Sequence, residues 1–146
     1  TNISYQNIFD FIARLNRLNK SEKYRLPTEV EWQYACHIAT DNMNHNSADQ
    51  NYLNDYSWYS KNSKGIPQPT GLKKPNAIGL YDMLGNVYEA TSTCIYQNGS
   101  DTTKCNQFVA RGGGATSHEK DISCTNRYAN PNNGNIGVGF RLVKEI

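Results

Sequence analysis

The segment YRLPTEVEWQYACH, Tyr24–His37, decides the fold, because it contains a helix start that can be located to the residue. Thr28 is followed three residues later by Glu31, which is the spacing of a capping box, and the helix is expected to begin after Pro27. Three residues share one face of this helix: Trp32, Ala35 and Cys36. Cys36 is therefore expected to point into the core.

A second amphipathic helix is predicted upstream, in residues 4–19, SYQNIFDFIARLNRLN. Ser4 is the expected N-cap. The apolar positions fall at helical spacing and are expected to form one stripe that faces the core. They are Ile8, Phe11, Ile12, Leu15 and Leu18.

Residues 37–78 show little periodicity and are rich in Asn, Ser, Gly and Pro. A segment of this length without regular structure is usually functional or is ordered by unusual packing. It carries four scattered aromatic side chains: Tyr52, Tyr56, Trp58 and Tyr59. These can line a binding surface or form a small satellite core under the loop, and we favour the satellite core.

Short strands are predicted in the second half of the chain. The stretch QFVARGGGAT, residues 107–116, is typical of a strand that enters a glycine-rich turn. No Lys-Ser/Thr follows the glycines, so the turn is not a phosphate loop. The terminal stretch IGVGFRLVKEI, residues 136–146, is a β-type run. Two helices followed by short strands in long loops predict an α+β domain that covers residues 1–146.

The composition excludes two classes of partner. The 146 residues carry 15 Lys and Arg against 13 Asp and Glu, a formal net charge of +2, without a basic run. Nucleic-acid binding is therefore not expected. No apolar run approaches the length of a membrane span, so insertion of this domain into a membrane is not expected either.

The four cysteines, Cys36, Cys94, Cys105 and Cys124, allow three disulfide pairings. Asn98-Gly99 is a strong turn signal near the middle of the segment between Cys94 and Cys105. Cys94 and Cys105 are therefore expected to face each other across a hairpin and to form a disulfide, which implies an oxidising compartment. The residues alone leave Cys124 open as a nucleophile, a metal ligand or a disulfide partner.

Five segments, in order along nearly the whole chain, resemble the formylglycine-generating enzyme, or sulfatase-modifying factor, family. They are YRLPTEVEWQYA at 24–35, YSWYSKNSKG at 56–65, KPNAIGLYDMLGNVYE at 74–89, VARGGG at 109–114, and NRYANP with VGFRLV at 126–143. The resemblance implies a variant of the C-type lectin fold, with two helices and small antiparallel sheets in extensive loops. Family domains carry several dozen further residues before the first helix, so this chain is expected to lack the N-terminal part or to belong to a longer protein.

The resemblance also implies a role for Cys124. Catalytic members oxidise a substrate cysteine with copper held by two cysteines, which lie between the Arg-Gly-Gly turn and the position of Arg127. The interval from Gly112 to Ser123 contains no cysteine. Copper(I) needs at least two soft ligands, so copper and this catalysis are not expected. Cys124 instead matches a structural cysteine whose partner in relatives stands at the position of Cys36, which implies a disulfide.

Calcium is the metal that the resemblance implies. Relatives bind it with residues that match Asp82, Gly85, Val87 and Glu89, through two carboxylates and two backbone carbonyls. The alternative is an ordinary turn in which the acids form a cap and a salt bridge.

Other site types are weakly supported by the sequence. The histidines show no zinc-binding spacing, and a Ser117–His118 dyad is not expected because adjacent residues rarely face each other productively. Arg127 and Arg141 match arginines that are mainly structural in the family. Glu29 and Glu31 are their expected partners.

The function expected from these features is a non-catalytic sensor or display domain of a bacterial envelope protein, located in the periplasm, at the cell surface or outside the cell. It would recognise a protein, peptide or glycan, and in a display protein the variable positions would lie within residues 114–138. The alternatives are a maturation enzyme or oxidoreductase of the family with a divergent active site, and a structural accessory domain. The expected ligand-binding surface comprises Ser117, His118, Glu119, Asn126, Tyr128, Asn130, Asn132 and Asn133.

Overall fold

A computed structural model of the chain describes residues 3–38, 50–96, 105, 107–131 and 137–145. It has three α-helices, a short 3-10 helix at Glu119–Asp121 and eight short strands over these residues. The helices are α1 (Tyr5–Leu18), α2 (Glu29–Ile38) and α3 (Gln50–Tyr56). The strands are β1 (Lys23–Arg25), β2 (Ser57–Trp58), β3 (Leu84–Gly85), β4 (Tyr88–Ile95), β5 (Gln107–Arg111), β6 (Arg127–Pro131), β7 (Val138–Gly139) and β8 (Val143–Glu145). The predicted α+β class is confirmed.

Helix α1 begins at the predicted cap. The Ser4 hydroxyl accepts a hydrogen bond from the Asn7 backbone N–H at 3.1 Å, and the Asn7 side chain accepts one from the Ser4 backbone in return. The predicted stripe is narrower than expected: Ile8 and Ile12 are buried, but Phe11 is 49% exposed and Leu18 is 85% exposed. The helix therefore contacts the core through only part of its apolar surface.

Helix α2 confirms the capping box. The Glu31 backbone N–H donates to the Thr28 hydroxyl at 3.2 Å, and the Glu31 carboxylate accepts from the Thr28 backbone N–H at 2.8 Å. Trp32 and Cys36 are buried as predicted, in a cluster with Met83. This face of α2 packs against strands β4 and β5.

Helix α3 was not predicted, because its seven residues are too few to show a periodicity. It lies in the segment expected to be irregular, and strand β2 follows it directly. Tyr59 is fully buried, and the rings of Tyr52 and Tyr56 stack with centroids 4.4 Å apart. The aromatic side chains do pack under the loop as favoured, but Tyr59 and Tyr52 join the cluster that contains Trp32 rather than form a separate satellite core. His45 lies outside the described residues.

Three small sheets connect these elements. The largest has the strand order β6-β5-β4-β7, in which β5 pairs antiparallel with β4 and β6, and β7 pairs parallel with β4. Strands β1 and β8 form an antiparallel pair, and β2 and β3 form a parallel pair. Two of the pairings are thus parallel, where only antiparallel sheets were expected.

Two disulfides confirm the expected pairing. Cys36 at the end of α2 bonds to Cys124 just before β6, across 88 residues, and Cys94 on β4 bonds to Cys105. The Asn98-Gly99 turn itself lies outside the described residues. Disulfides persist in oxidising environments, so the two bridges indicate an extracytoplasmic protein. Among the described helices, none combines the length and the apolar character needed to cross a bilayer.

Candidate functional site

The glycine-rich turn after β5 positions the loop that was expected to bind ligand. Gly112 and Gly113 both have positive φ, of 93° and 80°. A Cβ atom on Gly112 would lie 2.8 Å from the Met83 carbonyl oxygen, and one on Gly113 would lie 2.5 Å from Ile122 Cδ1. Only glycine fits at these two positions, and their backbone presses the following loop against the core.

The Ser117 side chain stabilises the glycine-rich turn. Its hydroxyl accepts a hydrogen bond from the Gly114 backbone N–H at 3.0 Å and donates to the Tyr88 hydroxyl at 3.2 Å, and the residue is buried. Within the described part of the chain no hydrogen bond joins Ser117 to His118, which is exposed. The geometry gives a serine–histidine dyad no support.

The exposed part of this loop forms a depression of about 230 Å³. Its lining residues are Ser60, Lys61, His118, Glu119 and Lys120. Lys61 and Glu119 form a salt bridge at 2.6 Å, with side chains 51% and 42% exposed. Sequence reasoning identified His118 and Glu119 but missed Lys61, because Lys61 lies 58 residues from Glu119 along the chain. It also left out Lys120, although Lys120 follows Glu119 directly.

The remaining predicted surface residues have different environments. Asn126 donates from its side-chain amide to the Asp121 carbonyl at 2.8 Å, so it helps to hold the loop. The half-buried Tyr128 ring lies 4.7 Å from the ring of Tyr88. Asn130 lies on strand β6. Asn132 and Asn133 lie outside the described residues.

A buried carboxylate pairs with two arginines behind the loop. Glu29 bonds to Arg111 and accepts from Arg127 at 2.5 and 2.7 Å, so the predicted Arg127 partner is confirmed. The Arg127 hydrogen bond is the main reason that the pKa of Glu29 is lowered, against the opposing effect of burial. Glu31 pairs instead with Arg25, whose hydrogen bonds lower the pKa of Glu31 to about 2.

The expected partner of Arg141 was wrong. Its guanidinium bonds to Glu89 rather than to Glu29 or Glu31, through Nε to Oε2 at 2.5 Å and Nη2 to Oε1 at 2.6 Å. Trp32 Nε1 also donates to Glu89 Oε2, at 2.6 Å. Burial by itself would lower the pKa of Arg141, but the contact with Glu89 outweighs it and the pKa is raised.

The predicted calcium loop is partly suited to a cation. Asp82 is 8% exposed, and its Oδ2 accepts from the Gly71 backbone N–H at 2.8 Å. Its Oδ1 is buried without a donor among the described residues, which is the condition in which a bound cation would be stabilising. Glu89, in contrast, already accepts three hydrogen bonds.

Backbone carbonyls would have to complete any calcium site here. Among the described residues no group of three or more His, Cys, Asp or Glu side chains is placed to hold a metal. Gly85, whose φ is 73°, keeps the loop tight, since a Cβ there would lie 2.3 Å from the Trp58 carbonyl oxygen. Asp82, Val87 and Glu89 line a cleft of about 520 Å³. The donor set of carboxylates and carbonyls is the kind that calcium takes.

Comparisons with known proteins agree with this architecture. One relative is the chaperone protein LppX of Paenibacillus barcinonensis, which is 30% identical over 141 residues, covering 83% of this chain and 49% of the relative. The chain thus spans about half the length of that protein.

Two solved structures are similar in three dimensions. Treponema denticola variable protein 1 superposes with a TM-score of 0.68 at 27% identity, covering 83% of this chain and 47% of the other. PvdO from Pseudomonas aeruginosa superposes with a TM-score of 0.82 at 24% identity, covering 99% of this chain and 61% of the other. The family described as "Sulfatase-modifying factor enzyme 1-like domain" matches residues 1–146, and the chain belongs to that family.

Proposed function

We propose that this chain is a non-catalytic ligand-binding domain. The observation that carries the proposal is the loop between Gly112 and Ser123, which contains no cysteine. The one hydroxyl that occupies the loop's interior, that of Ser117, is buried and hydrogen-bonded within the turn. Neither a copper site nor an activated nucleophile is built from these groups. The similarity to Treponema denticola variable protein 1, named as a variable protein rather than an enzyme, supports the same proposal.

The depression beside this loop is the proposed binding face. Lys61, Lys120 and His118 line the depression together with one carboxylate, that of Glu119, so the lining is basic on balance. The Lys61–Glu119 salt bridge is exposed, and such a pair is worth only about 0–1 kcal/mol. A ligand carboxylate can therefore replace Glu119 at little cost. Of the expected ligand classes of protein, peptide and glycan, this face suits one that carries acidic groups.

We also propose that the Asp82–Glu89 loop binds calcium as a structural ion. The buried, unpartnered Oδ1 of Asp82 supports this, together with the tight turn at Gly85. Asp82, the carbonyls of Gly85 and Val87, and Glu89 would hold the ion. Bound calcium would stabilise the loop that carries β3 into β4, because an ion that binds only the folded state shifts the folding equilibrium.

The proposed setting is a sensor or display module of a bacterial envelope protein, in the periplasm, at the cell surface or secreted. The two disulfides support an oxidising compartment. An exposed loop face on a disulfide-bonded scaffold suits recognition outside the cytoplasm, because the scaffold remains rigid while loop side chains contact the ligand.

A binding experiment tests the proposed face. The protein would be applied to a printed glycan array and to a display library of random peptides, beside a variant in which Lys61, His118 and Lys120 are all replaced by alanine. We expect acidic glycans or peptides to be retained by the wild type and lost by the triple variant. A matched control is Lys23→Ala with Lys144→Ala, which removes positive charge at the β1–β8 pair. Retention that is equal for both variants, or no retention from either collection, would contradict the proposal.

A further inference from the structure

Arg141 bonds to one carboxylate of the proposed calcium loop and lies near the other. Its Nε and Nη2 bond to both oxygens of Glu89, and the same Nη2 donates to the Tyr81 carbonyl at 3.0 Å. Tyr81 immediately precedes Asp82, so the guanidinium spans from Glu89 to the backbone carbonyl next to Asp82. Asp82 and Arg141 both line the 520 Å³ cleft, and their charges attract each other.

The charges of this loop do not favour tight calcium binding. Asp82 and Glu89 together carry two negative charges, and the positive charge of Arg141 offsets one of them. The side chains of Glu89 and Arg141 are only 8% and 24% exposed, so water screens this pair little. The affinity of a calcium site depends on the number of charged ligands and on how rigidly they are held. A permanently charged guanidinium beside the ligands therefore opposes a second cation.

The two hydrogen bonds from Arg141 Nε and Nη2 to the Glu89 carboxylate form a fork. This fork competes directly with calcium for the Glu89 oxygen atoms. Glu89 Oε2 accepts from both Trp32 and Arg141, and Oε1 accepts from Arg141. A carboxylate oxygen offers about two acceptor positions, so Oε2 is saturated and Oε1 keeps one. Calcium can then take Glu89 through one oxygen at most, unless the fork opens. Asp82 Oδ1 has no such competitor among the described residues.

We propose that the Arg141 guanidinium competes with calcium at the Asp82–Glu89 loop and so keeps the calcium affinity of this loop low. This rests on the proposal that calcium binds there at all. Arg141 lies between β7 and β8, far along the chain from the loop. It supplies a charge that stabilises Glu89 whether or not an ion is bound. The domain can therefore keep this loop folded at low calcium and bind the ion only where calcium is abundant.

The test compares calcium affinities of variants by isothermal titration calorimetry with calcium chloride, at fixed ionic strength, on the chelator-treated 146-residue chain. Arg141→Gln removes the charge and the fork, and we expect calcium to bind it at least about tenfold more tightly than the wild type. Arg141→Lys keeps the charge but loses the fork, so we expect a smaller gain. Arg25→Gln is the matched control, since it removes an arginine that pairs with Glu31 and Glu145 at the surface and should leave calcium affinity unchanged.

The outcomes separate this inference from the calcium proposal. Calcium binding of equal strength in the wild type and in Arg141→Gln would overturn the inference and leave the calcium site standing. No calcium binding in any of the proteins would overturn both. If Arg141→Gln fails to fold without calcium because Glu89 is left unpaired, recovery of its folded circular dichroism spectrum on adding calcium, and not magnesium, supports the inference. If it stays unfolded with calcium, Arg141→Lys decides, and an affinity equal to that of the wild type overturns the inference.

Discussion

The indole nitrogen of Trp32 donates a hydrogen bond of 2.6 Å to Glu89 Oε2. This bond connects helix α2 to strand β4 in the interior of the domain. Trp32 is 1% exposed and Glu89 is 6% exposed. Arg141 reaches the same carboxylate from the end of the chain. One buried acid thus joins three segments that are remote in sequence. Removing it leaves the Trp32 indole N–H without this acceptor and the Arg141 guanidinium without its counter-charge.

The Cys36–Cys124 disulfide is expected to contribute more to stability than the Cys94–Cys105 disulfide. The first closes a separation of 88 residues and the second one of 11. In the loop-entropy model these correspond to about 4–5 and about 3 kcal/mol. Non-reducing peptide mapping should recover both pairs. In urea unfolding, Cys36→Ala/Cys124→Ala should lose more unfolding free energy than Cys94→Ala/Cys105→Ala. Four alkylatable thiols in the native protein would contradict the pairing.

Glu29→Gln is expected to destabilise the domain strongly. The change leaves Arg111, whose side chain is 4% exposed, without its buried counter-charge. Breaking a buried pair in this way costs about 3–5 kcal/mol. Glu119→Gln is the matched control, because its pair with Lys61 is exposed and is worth about 0–1 kcal/mol. Equal urea midpoints for the two variants would show that the Glu29 network is not structural.

Acid is expected to destabilise the domain by protonating carboxylates that pair with arginines, Glu29 and Glu31. The pKa of Glu29 is lowered by Arg127, and the pKa of Glu31 is lowered by Arg25 to about 2. Both groups hold fewer protons when folded than when unfolded, so their contribution is complete above the ordinary glutamate pKa. It is lost as the pH falls from about 5 towards 2. Glu31→Gln should flatten the dependence of the melting temperature on pH in this window, and a slope identical to that of the wild type would refute the assignment.

The domain is expected not to convert cysteine to formylglycine. The interval from Gly112 to Ser123 offers no cysteine thiolate to hold copper. The purified protein, with copper and oxygen, would be incubated with a Cys-x-Pro-x-Arg peptide and the products measured by mass spectrometry. Product above that of a protein-free incubation would overturn the non-catalytic proposal.

Asp82→Asn is expected to remove the response of the melting temperature to calcium. The substitution keeps the shape of the side chain but removes the negative charge on the buried oxygen that has no donor. The wild-type melting temperature should rise with calcium chloride relative to chelator, as expected for an ion that binds the folded state. Asp55→Asn, which changes an exposed acid paired with Lys74, is the control and should keep the response. A wild-type melt that is independent of calcium would reduce the loop to a structural turn.

Local signals were sufficient for the parts of the fold that short segments specify. The capping box at Thr28 and Glu31, the cap at Ser4 and the pairing of Cys94 with Cys105 all depend on residues within a few positions or across one turn. Their geometry is fixed by neighbouring backbone, so the sequence contains it directly. The Cys36–Cys124 disulfide followed from the family resemblance, since nothing local to either cysteine selects the other.

Tertiary structure alone decided which charges meet and which side chains remain exposed. Glu29, Glu31 and Glu89 are chemically equivalent in the sequence. The pairing of β6 with β5, against which α2 packs, brings Arg127 to Glu29, and the pairing of β7 with β4 brings Arg141 to Glu89. Other tertiary contacts bury Ser117 and place Lys61 beside Glu119. Charge pairs form wherever the chain brings the groups together, and Coulomb attraction depends on distance in space rather than on separation along the sequence.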